Sequence, residues 1–501
     1  MSPVLIICFI FLYFSILLTI SWYTGRNATS QSYYIGNKQS PWFLVAFGMI
    51  GDSLSGVTFI SIPGTVAKDQ FSYMQLVMGY LLGYFIIAKV LLPLYYRLNL
   101  TSIYSYLGQR LGPFSEKSGS FFFVISRLIG AAFRLYISTA VLQIFIFDKW
   151  GIPFSVTTII VIGLILAYTY RGGIKTLVWT DSVQSLFLLM GVILSIIVIA
   201  NTLNLGFSDM ITAIKDSPYS KVFFWDWQEK NFFLKQFLSG VFIAIVMTGL
   251  DQNMMQKNLS IRTLPEAQKN VYWFSGILVF VNLFFVALGA LLYIYANSAG
   301  VNIPVKTDEL FPLLALNYLG GFAAIVFVLG ITAATFSSAD SVLTTLTTSF
   351  CIDFLKLNTK KENVMQTRIR HIVHISFAVI LLLVIIAFRE INNDAVINTV
   401  FKVAGYTYGP LLGLFAFGLF TKISVRDKFV PIVCILSPII TYLLDVNSVT
   451  LFSGYKFGFE LLLLNGLITF TGLLLLNKGK NETDTGNIVS DMGSKIEMFE
   501  N

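Results

Sequence analysis

The chain has 501 residues, of which 56% are hydrophobic, 15% aromatic and only 12% charged. Soluble globular domains carry roughly 25% charged residues, so this composition argues against a soluble enzyme or binding module and indicates a membrane protein. The formal net charge of +8 requires no nucleic acid partner, because Lys and Arg concentrate in the loops on one side of the predicted membrane helices.

Apolar runs of about 20 residues, long enough for a helix to cross ~30 Å of hydrocarbon, recur along the whole chain. The first run lacks a basic n-region and a clear cleavage site, so we interpret it as a retained helix rather than a signal peptide. The runs predict thirteen transmembrane segments at about residues 3–22, 41–66, 71–95, 119–147, 152–170, 178–203, 234–256, 270–296, 319–352, 370–388, 394–421, 429–446 and 456–477.

The distribution of basic residues predicts the orientation. With the N-terminus outside, the inner loops hold more than twice as many Lys and Arg residues as the outer loops, and Lys257 is counted among the inner ones. The positive-inside rule therefore predicts a plasma (inner) membrane protein with its N-terminus outside and its C-terminus in the cytoplasm. Residues 1–477 form a single transmembrane domain in this prediction, and the polar residues 478–501 form a disordered cytoplasmic tail.

Two segments contain helix-breaking residues at mid-membrane depth. The second segment reads "GMIGDSLSGVTFISIPG" around Asp52, and the seventh reads "VMTGLDQNMMQ". Unpaired backbone groups are tolerated in a membrane only where they line a cavity or bind something, so both segments are predicted to be discontinuous helices around a site. Their separation by five segments suggests two repeats, at about residues 41–203 and 234–446. Close packing of small residues between helices is the alternative interpretation.

The ninth segment contains "TAATFSSADSVLTT" (332–345). On a helix, Ser337, Asp340 and Ser341 share one face, and such hydroxyl and carboxylate oxygens suit a small hard cation. The alternative is that the hydroxyls bond back to their own helix. A second intramembrane acid, Asp181, follows "YRGGIKTLVWT" and could instead be a helix-start carboxylate favoured by the helix dipole.

The fourth segment carries two deep arginines. Arg127 and Arg134 are seven residues apart and share a helix face. An inward-facing arginine in hydrocarbon needs an anion, which predicts an anionic solute. The alternative is a structural ion pair with Asp52 or Asp181.

Five stretches, found in the expected order, resemble the sodium:solute symporter family and especially its sodium/iodide, multivitamin and sialic acid branches. They are "LSGVTFISIPG" (54–64), "YYRLNLTSIYSYLGQRLG" (95–112), "GGIKTLVWTDSVQ" (172–184), "GLDQNMMQK" (249–257) and "ATFSSADS" (334–341). The resemblance implies an all-α, LeuT-like fold with an inverted repeat of five plus five helices and sodium-driven import of a small solute by alternating access.

The resemblance also implies the positions of the sites. The main sodium site would use the backbone carbonyls or hydroxyls of Gly51, Leu54, Ala334, Ser337 and Ser338. A second sodium site would use Asp181, Ser337, Asp340 and Ser341. Asp340 departs from the family pattern, which has a small hydroxyl there, so Asp181 and Asp340 would share either a sodium ion or a proton. The solute would contact Ser53, Ser55, Thr58, Phe71, Gln75, Arg134 and Gln252.

Two other functions stay open at this point: a proton-coupled carrier of the same fold and a transporter-like membrane sensor. An enzyme is not predicted, because no His, Cys and Asp grouping indicates a nucleophile or a metal centre. Sodium is the only metal and the coupling ion, and no other cofactor is expected. The predicted partners are a small anionic solute, sodium ions and the lipid bilayer, with no nucleic acid and no obligate protein partner.

Overall fold

The computed structural model describes residues 3–26, 29–357, 364–391, 396–455 and 457–478. Within these ranges the chain is helical and contains no β-strand, only two isolated β-bridges. The all-α prediction is therefore confirmed. The predicted cytoplasmic tail, apart from Lys478, lies outside the described residues.

The membrane helices are numbered α1 to α13 so that each number matches the predicted segment. Their bounds are α1 Pro3–Gly25, α2a Trp42–Ser53, α2b Gly56–Asp69, α3 Tyr73–Arg97, α4 Pro113–Leu142, α5 Phe154–Tyr170, α6 Gly173–Thr202, α7a Phe233–Gly249, α7b Gln252–Leu259, α8 Leu264–Ser298, α9 Gly320–Phe354, α10 Val364–Ile391, α11 Val396–Phe420, α12 Val430–Val446 and α13 Leu461–Leu475. Shorter helices connect them at Ser30–Ile35, Ser105–Arg110, Phe207–Asp216, Leu310–Asn317 and Ser448–Leu451.

Every predicted segment coincides with a helix or a bent pair of helices. Among the described residues, nine helices are long and apolar enough to cross a membrane. The bent pairs α2a/α2b and α7a/α7b give two further candidate spans, and α5 and α13 are shorter apolar helices. The turn between α5 and α6 depends on Gly173, whose φ of 54° favours glycine and whose Cβ, if present, would lie 2.5 Å from the Cα of Tyr33.

The two predicted breaks are present. The axis bends by 56° between α2a and α2b and by 62° between α7a and α7b. Leu54 ends α2a with φ −102° and ψ 79°, which is outside the helical region. Asp251 restarts the second helix by accepting hydrogen bonds from the backbone N–H groups of Asn253 (2.9 Å) and Met254 (3.3 Å). Both breaks therefore interrupt a membrane helix beside an acid.

The centre of the bundle is α9. It packs against α1, α2a, α4 and the α5–α6 pair, and every residue from Gly330 to Ser349 on it is buried. Such complete burial of a helix rich in Ser and Thr places its hydroxyls against neighbouring helices rather than against lipid. The polar side chains of α9 are thus positioned to form sites inside the protein.

Candidate functional site

The break in α2 lies directly against the hydroxyl ladder of α9 and against α6. A Cβ placed on Gly51 would lie 2.8 Å from Ser337 Oγ and 2.6 Å from Ser185 Oγ, closer than real Cβ contacts allow. The backbone N–H of Gly51 donates a hydrogen bond of 2.8 Å to Ser185 Oγ. Glycine lets the backbone of α2a lie close to Ser337 and Ser185, whose hydroxyls would have to move to admit a larger residue.

The hydroxyl of Ser337 has no hydrogen-bond partner in the described part of the chain, although its side chain is 0% exposed. An unpaired buried hydroxyl costs about 1–3 kcal/mol. Ser338 differs, because its hydroxyl donates a long bond of 3.4 Å to the carbonyl of Ala334 on the same helix. A hard cation held by Gly51, Ser337 and neighbouring oxygens would remove the cost at Ser337, so these residues fit sodium.

A second cluster lies along the same helix and contains a buried lysine. Lys257 Nζ forms an ion pair of 2.5 Å with Asp52 Oδ2, a second ion pair with Asp181 Oδ2, and a hydrogen bond of 2.9 Å to Ser341 Oγ. Lys257 is only 1% exposed. Its assignment to an inner loop was wrong, because α7b continues to Leu259 and directs this side chain into the bundle.

Asp340 belongs to a neighbouring network. Its Oδ2 accepts hydrogen bonds from the hydroxyl of Tyr168 (2.8 Å) and the amide of Gln184 (3.4 Å), and its Oδ1 accepts one from the backbone N–H of Ser341 (2.5 Å). Ser341 Oγ in turn lies 3.3 Å from Asp181 Oδ2. Of the four residues predicted for a second sodium site, Asp181 and Ser341 therefore surround Lys257, Asp340 binds Tyr168 and Gln184, and Ser337 contacts Gly51.

The two arginines of α4 have different surroundings. Arg127 is 5% exposed and its Nε lies 2.5 Å from Asp251 Oδ2, to which Tyr408 also donates a hydrogen bond of 2.7 Å. The structural pairing considered for Arg127 thus exists, but with the acid at the α7 break rather than with Asp52 or Asp181. Arg134 has no carboxylate within ion-pair distance in the ranges that the structure describes.

A cavity of about 90 Å³ lies beside the break in α2 and is bounded by α3, α4, α7a and α8. It contains four of the predicted solute contacts, namely Ser53, Ser55, Thr58 and Arg134. Asp52 and Arg127, which the sequence singled out without assigning them to the solute, also line it, and the polar and aromatic lining residues that were not predicted at all are Tyr73, Tyr80, Tyr84, Thr248 and Asn282. The helical spacing of the three tyrosines could have predicted that this side of α3 lines the cavity.

Three predicted solute contacts do not line this cavity. Gln75 bonds the backbone N–H of Phe224 (3.2 Å) and carbonyl of Asn231 (2.9 Å), which ties α3 to the segment before α7a. Gln252 bonds the backbone N–H of Ile103 (2.9 Å) and the carbonyl of Thr101 (2.8 Å).

The third residue outside the cavity is Phe71, which is 5% exposed and whose backbone N–H bonds the carbonyl of Lys221. Like the two glutamines, it is engaged with a neighbouring segment of the chain.

One of the charged side chains that line the cavity has no ion-pair partner among the described residues. Three charged side chains line it, and two of them are already paired, Asp52 with Lys257 and Arg127 with Asp251. Arg134 is the third, and its guanidinium has no such partner in the described residues. A guanidinium at membrane depth that lines a cavity and has no ion-pair partner is suited to bind an anionic ligand.

Known membrane transporters are similar to this chain in sequence and in fold. Residues 33–426 match the sodium:solute symporter family. The chain is 25% identical over 421 residues to the sodium/sialic acid symporter of Proteus mirabilis, which covers 81% of this chain and 83% of the relative. It is 24% identical over 407 residues to sodium-coupled monocarboxylate transporter 2 of Danio rerio, covering 79% of this chain and 63% of the relative.

Two solved structures share the fold. A substrate-bound, outward-open Na⁺-coupled sialic acid symporter superposes with a TM-score of 0.80 at 21% identity, covering 94% of this chain and 97% of the other. The nucleobase-cation-symport-1 transporter Mhp1, in a closed conformation, gives a TM-score of 0.54 at 12% identity, with 90% and 94% covered. These similarities confirm the LeuT-like fold that the motifs implied.

Proposed function

Because the chain belongs to the sodium:solute symporter family, whose members are transporters rather than enzymes, we propose that it imports a small organic anion together with sodium. In this proposal the protein lies in the plasma (inner) membrane with its N-terminus outside and its C-terminus inside. Residues 41–203 and 234–446 act as the two repeats whose relative movement exposes the cavity to each side in turn.

The single observation that carries the choice of an anion is Arg134. Its guanidinium lines the cavity while every other charged group there is paired. A guanidinium binds a carboxylate through two parallel hydrogen bonds, and such charge-assisted bonds contribute about 1.5–3 kcal/mol each. The relatives in Proteus mirabilis and Danio rerio are named for sialic acid and monocarboxylates, which are both carboxylic acids. A carboxylate on the solute is therefore the proposed partner of Arg134.

Sodium is the coupling ion, and we propose that its main site is formed by the carbonyls of Gly51, Leu54 and Ala334 with the hydroxyls of Ser337 and Ser338. The close contact of Gly51 with Ser337 and the unpaired hydroxyl of Ser337 support this choice. A sodium ion there would join α2 to α9 beside the solute cavity. It would therefore favour the conformation in which both are in contact, which is sufficient to couple the ion gradient to the solute.

The test is uptake into proteoliposomes of a panel of radiolabelled solutes: sialic acid, short monocarboxylates and neutral sugars. We expect uptake of an acid, driven by an inward sodium gradient and not by a proton gradient alone. Arg134→Gln should lower the apparent affinity for that acid at least about tenfold, since one lost charge-assisted interaction exceeds ~1.4 kcal/mol. The same change at Arg389, which lies over the ring of Phe154, is the matched control and should have little effect.

Three results would contradict the proposal. If the protein takes up a neutral solute and Arg134→Gln leaves its affinity unchanged, the proposal that the solute is an anion bound by Arg134 is wrong. Uptake driven by a proton gradient without sodium would favour the proton-coupled carrier. Binding of a solute without any uptake would favour the membrane sensor.

A further inference from the structure

The ammonium group of Lys257 contacts Asp181 and Ser341, two of the residues that the family resemblance implied for a second sodium ion. We propose that the ammonium group of Lys257 takes the place of a second sodium ion, so that one sodium ion is bound and transported in each cycle. The inference rests on the proposed function, because it takes the site at Gly51 and Ser337 as the site of the transported ion.

The contacts of Lys257 are those of a resident cation. An ammonium group has three N–H donors. In this structure it has three acceptors, Asp52 Oδ2 on α2a, Asp181 Oδ2 on α6 and Ser341 Oγ on α9. Asp181 and Ser341 are also two of the residues that a second sodium ion would use. One positive charge supplied by α7b therefore joins three helices that a bound ion would otherwise join.

A sodium ion could enter this cluster only by displacing Nζ. The displaced ammonium would remain in a position that is 1% exposed, while Asp52 and Asp181 are 3% and 0% exposed. Separating a buried ion pair without replacing both partners is strongly unfavourable. The lysine is covalently attached and so does not dissociate, which makes its effective concentration high compared with that of free sodium.

The net charge around Lys257 also explains how the main sodium site can consist of uncharged oxygens alone. Lys257 with its two carboxylates carries one net negative charge, and the Oδ1 atoms of Asp52 and Asp181 have no hydrogen-bond partner in the described residues. Asp52 directly follows Gly51, so this charge lies beside the main site. The ligands proposed for that site are all uncharged oxygens, and the neighbouring negative charge would offset the sodium ion at low dielectric.

Counting bound sodium ions tests the inference. The purified protein, without solute, is titrated with ²²Na⁺ to saturation. We expect one sodium ion per wild-type chain. Lys257→Met removes the ammonium while keeping an unbranched side chain, so Asp181 and Ser341 become available and the count should rise from one to two. Lys257→Arg, which keeps the charge, should still bind one.

The control is Lys269→Met, because Lys269 is an exposed lysine on the next helix whose Nζ lies 4.3 Å from the ring centroid of Trp42. It should bind one sodium ion. Two sodium ions bound to the wild type would overturn the inference and leave the proposed function intact, and this result does not depend on the folding of any variant. A folded Lys257→Met protein that binds only one would also overturn it. No sodium bound to the wild type would overturn the proposed main site itself.

Discussion

Two clusters one turn apart on α9 differ in the charge of their oxygens. Around Ser337 the oxygens are uncharged, and the buried hydroxyl has no partner in the described residues. Around Ser341 two carboxylates converge and an ammonium group from α7b neutralises one of them. The first cluster suits an ion that must bind and leave, whereas the second holds a charge that cannot leave. Because Lys257 supplies the cation at the Ser341 cluster, only the Ser337 cluster is free to exchange sodium ions in this account.

The largest effect is expected at the point where α2a meets the uncharged cluster. Gly51→Ala would place a methyl group 2.8 Å from Ser337 Oγ and 2.6 Å from Ser185 Oγ. Either the hydroxyls rotate away or the helices separate, and both remove sodium ligands. We expect the apparent sodium affinity, measured from sodium-dependent uptake, to fall at least about a hundredfold, or ~2.7 kcal/mol.

Gly130 provides the matched control, because a Cβ at Gly130 on α4 meets no atom within 4 Å. Gly130→Ala should retain the wild-type sodium affinity. Sodium-dependent uptake by Gly51→Ala at the wild-type affinity would show that Gly51 is not part of the site.

The charged cluster should respond mainly in stability. Lys257→Met leaves the buried carboxylates of Asp52 and Asp181 without their cation, and in sodium-free buffer an uncompensated buried charge costs about 3 kcal/mol. The free energy of unfolding of the detergent-solubilised protein should fall by that amount.

Lys356→Gln is the comparison, since it breaks the pair with Glu116 in which the lysine is 54% exposed, and it should cost under ~1 kcal/mol. Equal losses in the two variants would mean that the Lys257 cluster contributes no more than a surface pair.

The two adjacent serines of the uncharged cluster should be distinguishable. Ser337→Ala removes a hydroxyl that has no other partner, so the apparent sodium affinity should fall about tenfold, or ~1.4 kcal/mol. Ser338→Ala should cost less, because the hydroxyl of Ser338 already bonds the carbonyl of Ala334. Sodium titrations of uptake measure both, and unchanged sodium dependence in both variants would rule out this site.

The smallest effect is expected at Asp340. Its carboxylate bonds Tyr168 and Gln184 rather than Lys257, so Asp340→Ser should change the apparent sodium affinity by no more than about threefold. The number of ²²Na⁺ ions bound per chain should stay the same. A change in that number would place Asp340 among the sodium ligands and weaken the contrast between the clusters.

Sequence analysis predicted the features that depend on local pattern. Apolar length located the helices, of which nine in the described ranges are long enough to span a membrane, and the Gly, Ser and acid groups located both helix breaks. The partners of buried polar groups were not predictable in the same way. Lys257 pairs with Asp181 and Asp52, which are 76 and 205 residues away in the chain. In the sequence, Lys257 stands at the end of an apolar segment, as a loop lysine would. Only the packing of four helices shows that it is buried.

The solute contacts show the same limit. The spacing of Phe71 and Gln75 predicts that both lie on one helix face, but α3 begins only at Tyr73, and the spacing does not identify the neighbour that Gln75 meets. In the structure Gln75 bonds the backbone at Phe224 and Asn231, whereas the cavity is lined by tyrosines of the same helix. Arg134 was the stronger prediction, because a charge at membrane depth restricts its own surroundings more than a neutral amide does.

The most direct test of the account is an experimental structure of the protein in sodium at a resolution that shows bound ions. The account predicts one sodium ion, bounded by the Gly51 carbonyl and Ser337 Oγ, with Lys257 Nζ still against Asp52, Asp181 and Ser341. A sodium ion between Asp181 and Ser341, with the lysine displaced from both, would contradict it.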